Sequence, residues 1–67
     1  MKYLLAFGAD TERVTNAPGV SVLRRVYEVV VVEAERSLAT ELADGGDCVR
    51  VYHSPEDALL ALSVFER

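Results

Sequence analysis

Four consecutive valines, Val29 to Val32, constrain the fold of this chain more than any other feature. Their β-branched side chains favour extended backbone, and successive residues of a strand point to opposite faces of a sheet. An antiparallel sheet with helices on one face and water on the other alternates apolar and polar residues, which this run cannot do. Two of the four valines are therefore expected on the face away from the helices, and that face needs a cover.

The chain has 67 residues, which is enough for one domain spanning 1–67. A domain of this size has a free energy of unfolding of about 3–5 kcal/mol, and such domains are often supported by disulfides, metals or partners. Cys48 is the only cysteine, so no disulfide forms within the chain. His53 and Cys48 are the only soft metal ligands, whereas a structural zinc site uses four. We expect no metal and no cofactor, which leaves core packing or a partner.

The charge and the apolar stretches exclude several classes of protein. The net charge of −4 argues against nucleic-acid binding, which requires a basic surface. No apolar stretch approaches the roughly 20 residues of a membrane span. Lys2 is followed by only five apolar residues before Gly8, too few for a signal peptide. These features predict a small acidic cytoplasmic protein with no membrane partner.

The first half of the chain is rich in strand-forming residues. Residues 2–7 read as a strand that ends at Gly8, and Asp10 is placed to cap a helix of one or two turns before Pro18; a plain loop is the alternative. Residues 20–34 are long for one strand, yet no Gly, Asn or Asp marks a turn among them. Either a hairpin or one long strand fits this segment.

The second half alternates helix, strand and helix. Residues 35–44 predict a helix with an apolar stripe, ended by Gly45-Gly46 as a C-cap, and residues 48–53 predict a strand. Ser54 and Pro55 begin a last helix as cap and first residue. The stripe of the first helix is Leu38, Ala39, Leu42 and Ala43; that of the last helix is Ala58, Leu59, Leu62 and Phe65, widened by Leu60 and Val64.

This order of elements predicts an α+β fold, a ferredoxin-like βαββαβ sandwich with a short or missing first helix and an extra C-terminal helix. In that topology the first and third strands are central, and here those two strands are apolar at odd and even positions alike. The charged residues Arg24, Arg25 and Arg50 fall on the second and fourth strands. Charged side chains on edge strands discourage unwanted pairing, which agrees with this arrangement.

The sheet face without helices is expected to be the functional surface, because large exposed apolar patches usually mark contact sites. The partner-binding residues predicted from the sequence are Leu4, Val29, Val30, Val31, Val32 and Tyr52. Three covers remain open for this face: another protein, a second copy of the chain, or the last helix of the same chain.

No combination of side chains in the sequence predicts catalysis. Cys48 and His53 are five residues apart on one strand, so they point to opposite faces roughly 16 Å apart and form no catalytic pair. Gly45-Gly46 lie between helix and strand, the wrong order for a phosphate-binding loop. Glu28 and Glu33 flank the valines as solubilising charges. We therefore expect a protein that is not an enzyme.

The segment Val22–Tyr52 resembles the propeptide-type inhibitors of subtilisin-like serine proteases. The similarity lies in V-L-R-R-V-Y, the valine strand, S-L-A-T-E-L-A-D and V-R-V-Y. The resemblance implies a ferredoxin-like sandwich whose helix-free sheet face packs on a protease. In that family the segment after the fourth strand stays extended, whereas Ser54-Pro55 begins a helix here.

Together these patterns predict a small non-catalytic protein–protein interaction module, such as a protease inhibitor, a chaperone or an adaptor, that uses the apolar sheet face. The alternative is a small regulatory homodimer whose sheets pack face to face.

Overall fold

The strand-forming runs build one antiparallel four-stranded sheet in the computed structural model, which describes residues 1–66. The strands are β1 (Lys2–Ala6), β2 (Ser21–Val26), β3 (Val29–Ala34) and β4 (Val49–Tyr52), in the order β2-β3-β1-β4. The α+β class is confirmed, and so are the central positions of β1 and β3. Arg24, Arg25 and Arg50 lie on the edge strands, as predicted.

A hairpin, rather than one long strand, connects β2 and β3, since Val26 pairs with Val29 across Tyr27 and Glu28. Tyr27 has a φ of 56°, a left-handed conformation that bulky residues rarely adopt. Two contacts hold this turn: the Thr11 hydroxyl donates to the Glu28 carbonyl, and Nε of Arg25 donates to the Tyr27 carbonyl at 3.1 Å. These contacts explain how the turn forms without a turn-favouring residue.

Three helices join the strands: α1 (Thr11–Thr15), α2 (Arg36–Asp44) and α3 (Pro55–Ser63). Short 3-10 turns precede α1 at Gly8–Asp10 and follow α3 at Val64–Glu66. The short first helix therefore exists, in place of the alternative loop. The predicted start of α3 is confirmed, because Oγ of Ser54 accepts the N–H of Asp57 at 3.2 Å and Pro55 is the first helical residue.

Two predicted helix caps occupy the expected positions, Asp10 before α1 and Gly45 after α2, but neither has the expected cap geometry. Asp10 does not cap α1; its carboxylate instead accepts the backbone N–H of Cys48 at 2.8 Å and Nε of Arg13 at 3.1 Å. Gly45 has an ordinary φ of −80°, so it is no left-handed C-cap. The glycines allow close approach instead, since a Cβ at Gly46 would overlap the Asp10 carboxylate.

Helices cover both faces of the sheet. On what we call the first face, α1 and α2 pack on the sheet and bury Leu4, Ala6, Val14, Val30, Val32, Ala34, Ala39, Leu42 and Val49. On the second face, α3 packs on the sheet and buries Leu5, Val29, Val31, Ala58 and Leu62. The prediction of a sheet face without helices is therefore wrong. Of the three covers left open by the sequence, the structure shows the last helix of the same chain.

A candidate interaction surface on the third helix

The partner-binding residues predicted from the sequence do not share a surface. The alternation of β1 and β3 places Leu4, Val30 and Val32 on the first face, and Val29 and Val31 on the second. All five are buried, and Tyr52 beside them on the second face is half-buried. A partner could touch the valines of the second face only after α3 had left the sheet.

The third helix leaves much of its own apolar surface in water. Only Ala58 and Leu62 of α3 are buried, so much of the wide apolar stripe predicted from the sequence lies outside the core. Leu60 is 71% exposed and Val64, four residues later, is 65% exposed. Residues four apart lie on the same side of a helix, so these two form what we call the outer stripe. The stripe exists because residues 58–62 are apolar all round, whereas a sheet covers only one side of a helix.

An open pocket of about 290 Å³ lies between the C-terminal half of α3 and the strands β1 and β4; we call it the α3 pocket. The small side chain of Ala61 leaves this space between helix and sheet. Val64 contributes to both the pocket and the outer stripe. The residues that line the pocket are Leu5, Phe7, Arg50, Tyr52, Ala61, Val64 and Phe65.

Aromatic rings and one cation determine the chemistry of the α3 pocket. The ring centroids of Phe7 and Phe65 are 6.0 Å apart, and the Arg50 guanidinium carbon lies 5.5 Å from the Phe7 centroid. Nη1 of Arg50 donates to the backbone carbonyls of Asp47 and Val49, each at 3.2 Å. Within residues 1–66 Arg50 forms no salt bridge. The pocket therefore combines apolar walls with one positive charge that no carboxylate in this part of the chain neutralises.

The surroundings of α3 are otherwise acidic. Residues 55–66 include Glu56, Asp57 and Glu66 but no Lys or Arg, and only Glu66 forms a salt bridge there, with Arg24 at 2.9 Å. On the sheet beside the helix, burial raises the pKa of Tyr3, and the neighbouring Glu33 carboxylate raises it further. The third helix thus presents an apolar stripe with negative charge at its N-terminal end and a carboxylate paired with Arg24 at its C-terminal end.

Asp10 is the one buried carboxylate among residues 1–66, and its contacts are structural. The Cys48 N–H, followed by the Arg13 side chain, holds its pKa below the ordinary value by stabilising the charged form. Nη2 of Arg13 also donates to the Leu42 carbonyl at 2.9 Å, so this network ties α1 to the end of α2 and the start of β4. Asp10 therefore acts as a hydrogen-bond acceptor between segments.

The other reactive side chains are dispersed. Cys48 precedes β4 and is half-buried, whereas His53 follows β4, where the Lys2 ammonium donates to its Nδ1 at 2.7 Å. No three His, Cys, Asp or Glu side chains in residues 1–66 are grouped so that they could hold a metal ion. Over the same residues, no helix has the length and apolar character needed to cross a bilayer.

The sequence patterns missed the α3 pocket. Phe7 and Phe65 are 58 positions apart, and nothing in their local sequence indicates that they meet. The available signal was Ala61, a small residue on the inner side of a helix with larger apolar neighbours.

Comparison with protein-family models, with curated proteins and with solved structures gave no match.

Proposed function

We propose that this chain is a small non-catalytic interaction module that binds a protein partner through the outer stripe of α3. The observation that carries the proposal is the exposure of Leu60 and Val64, large apolar side chains one helical turn apart on the surface of a small domain. Contiguous exposed apolar surface of this kind marks interaction sites more often than chance. An amphipathic segment of a partner could bury both side chains at once.

Charge identifies the kind of partner that fits. Glu56 and Asp57 precede the stripe and form no salt bridge within residues 1–66, and the whole chain carries a net charge of −4. A second copy docked helix to helix would bring acidic residues near acidic residues, which opposes association. A foreign segment with apolar residues flanked by Lys or Arg would complement both the stripe and its acidic end. We therefore assign the surface to a basic, apolar segment of another protein.

The finer predictions about fold and partner also belong to this proposal. The antiparallel order β2-β3-β1-β4 supports a ferredoxin-like sandwich, because central first and third strands are its arrangement. In the inhibitor family that the sequence resembles, the helix-free sheet face packs on the protease; in this chain α3 occupies that face. A dimer with sheets packed face to face would likewise require α3 to leave. The outer stripe therefore suits an adaptor or chaperone better than a protease inhibitor, and a cytoplasmic location remains a prediction.

Site-specific photo-crosslinking in the native host tests the proposal. A photoreactive residue at position 60 should capture one partner that position 22 does not, since Val22 is an exposed valine on β2. The captured protein is then purified and titrated against the unlabelled chain by calorimetry. Leu60→Ser should weaken binding about tenfold or more, because it removes a buried apolar contact, and Val22→Ser should leave it unchanged.

Three outcomes would overturn the proposal. These are capture of nothing at position 60, capture of the same proteins from position 22, and unchanged affinity of Leu60→Ser. Crosslinking of two copies of the chain, with a dimer seen by light scattering that Leu60→Ser dissociates, would replace the foreign partner with self-association.

A further inference from the structure

The α3 pocket has the size of a small-molecule site rather than of a packing defect. Its volume of about 290 Å³ lies just below the range for ligand pockets, roughly 300–1,000 Å³, so it suits a small ligand. Its walls are apolar or aromatic, and its open side faces water. A group as large as one aromatic ring with a short chain would displace water from the Phe7 and Phe65 side chains.

Arg50 gives the pocket its chemical preference. A guanidinium has five N–H donors, and the hydrogen bonds of Arg50 among residues 1–66 use only Nη1. These two bonds to backbone carbonyls, together with the Phe7 ring, hold the guanidinium in place. A planar, fixed guanidinium binds a carboxylate through two parallel hydrogen bonds. The lining contains no acidic side chain, so it offers a cationic ligand no counterion.

We propose that the α3 pocket binds a small carboxylate that carries one aromatic or branched aliphatic group. The apolar group lies against the Phe7 and Phe65 side chains, and the carboxylate pairs with Arg50 at the mouth of the pocket. This activity depends on Arg50 and the inner side of α3, whereas partner binding depends chiefly on Leu60 on the outer side; Val64 is shared by the two surfaces.

An NMR titration with 3-phenylpropionate as the probe tests the proposal. Backbone amide shifts should move saturably at Phe7, Arg50, Ala61 and Phe65, with a dissociation constant in the millimolar range or tighter. The neutral amide of the same acid and 3-phenylpropylamine should each bind about tenfold more weakly or worse, because neither pairs with the guanidinium.

Two matched variants localise the effect. Arg50→Gln should reduce carboxylate affinity to that of the neutral amide, a loss of about tenfold, while the dispersion of its spectrum shows that the fold is retained. Arg36→Gln makes the same charge change on α2, where the side chain is exposed on the first-face side, and should leave affinity unchanged. Arg50→Lys keeps the charge without the planar guanidinium, so its carboxylate affinity should lie between that of Arg50→Gln and that of the wild type.

Three results would overturn the proposal: no saturable shifts at millimolar 3-phenylpropionate, equal affinity for the acid and its amide, or full affinity in Arg50→Gln. Loss of binding in Arg36→Gln to the same extent as in Arg50→Gln would also overturn it, since that result indicates attraction by overall charge.

Discussion

The two faces of the sheet share one strand of valines but differ in how they are covered. On the first face, α1 and α2 come from separate parts of the chain and surround Val30 and Val32 with larger residues such as Leu42. On the second face a single helix covers Val29 and Val31 with Ala58 and Leu62, and leaves an open pocket beside it. The first face is a core, whereas the second combines a core with a surface available to ligands.

The difference between the faces arises from the covering helices. The valine run of β3 presents two identical side chains to each face of the sheet. The inner side of α3 carries Ala58 and Ala61 beside Leu62, whereas large residues such as Leu60 are exposed on its outer side, a partial inversion of the order that close packing requires. We infer that this inversion in α3 produces both the pocket within the domain and the stripe on its surface.

Paired Val→Thr substitutions give the largest expected effect and test whether the two faces are equally buried. Val30→Thr with Val32→Thr, and separately Val29→Thr with Val31→Thr, should each lower the free energy of unfolding by about 2–5 kcal/mol, because a hydroxyl enters a dry core. Urea denaturation measures the free energy of unfolding of each double variant. Val22→Thr on the exposed edge strand is the control. A second-face pair that unfolds like the wild type would mean that α3 does not hold its position in solution.

Single substitutions on α3 separate its inner and outer sides. Leu62→Ala should lower the free energy of unfolding by about 2–4 kcal/mol, since Leu62 is fully buried against the sheet. Leu60→Ala, the same change on the exposed side of the same helix, should alter it by less than about 0.5 kcal/mol. Equal losses from the two variants, measured by denaturation, would contradict the orientation of α3.

The smallest expected effect is a pH dependence that belongs to the first-face side of the molecule. The pKa of Asp10 is lowered in the folded state, so its carboxylate stabilises the fold fully above the ordinary pKa, about 3.9. That contribution is lost as pH falls through the ordinary pKa towards the lower folded value. Asp10→Asn should therefore be less stable than wild type at pH 7. This difference in stability, which we call the gap, should narrow below about pH 4.

Thermal unfolding across the pH range measures this gap. Asp47→Asn, which changes an exposed carboxylate next to Cys48, is the matched control and should show a small gap at every pH. A gap for Asp10→Asn that stays constant down to pH 2 would contradict the role of the charged carboxylate.

Local patterns predicted most of the fold. The strands β1 and β3, the helix α2 and the Ser54 cap follow from apolar periodicity and capping chemistry, which act within a few residues of sequence. The Tyr27 turn could not be predicted, because contacts from Thr11 and Arg25 hold a backbone conformation that tyrosine disfavours. Asp10 was misassigned as a cap because its principal acceptor contact, with the Cys48 N–H, is 38 positions away.

The candidate site was predicted less well. The valine run correctly indicates that both sheet faces need a cover, but apolarity alone does not identify which segment supplies it. The sequence therefore places the binding residues on the sheet, mainly on β3, whereas the structure buries Leu4 and the four valines and exposes Leu60 and Val64. Arg50 reads from sequence as an edge-strand charge, and only its distance to the Phe7 ring reveals a place in the pocket.

The position of α3 after all four strands has a consequence for synthesis. During translation the valines of the second face leave the ribosome before the helix that covers them, so the sheet can form while one apolar face is still wet. A sheet on which α3 has not yet packed exposes Val29 and Val31 to water, and Glu28 and Glu33 place charge at the two ends of the valine run, which opposes aggregation through that surface.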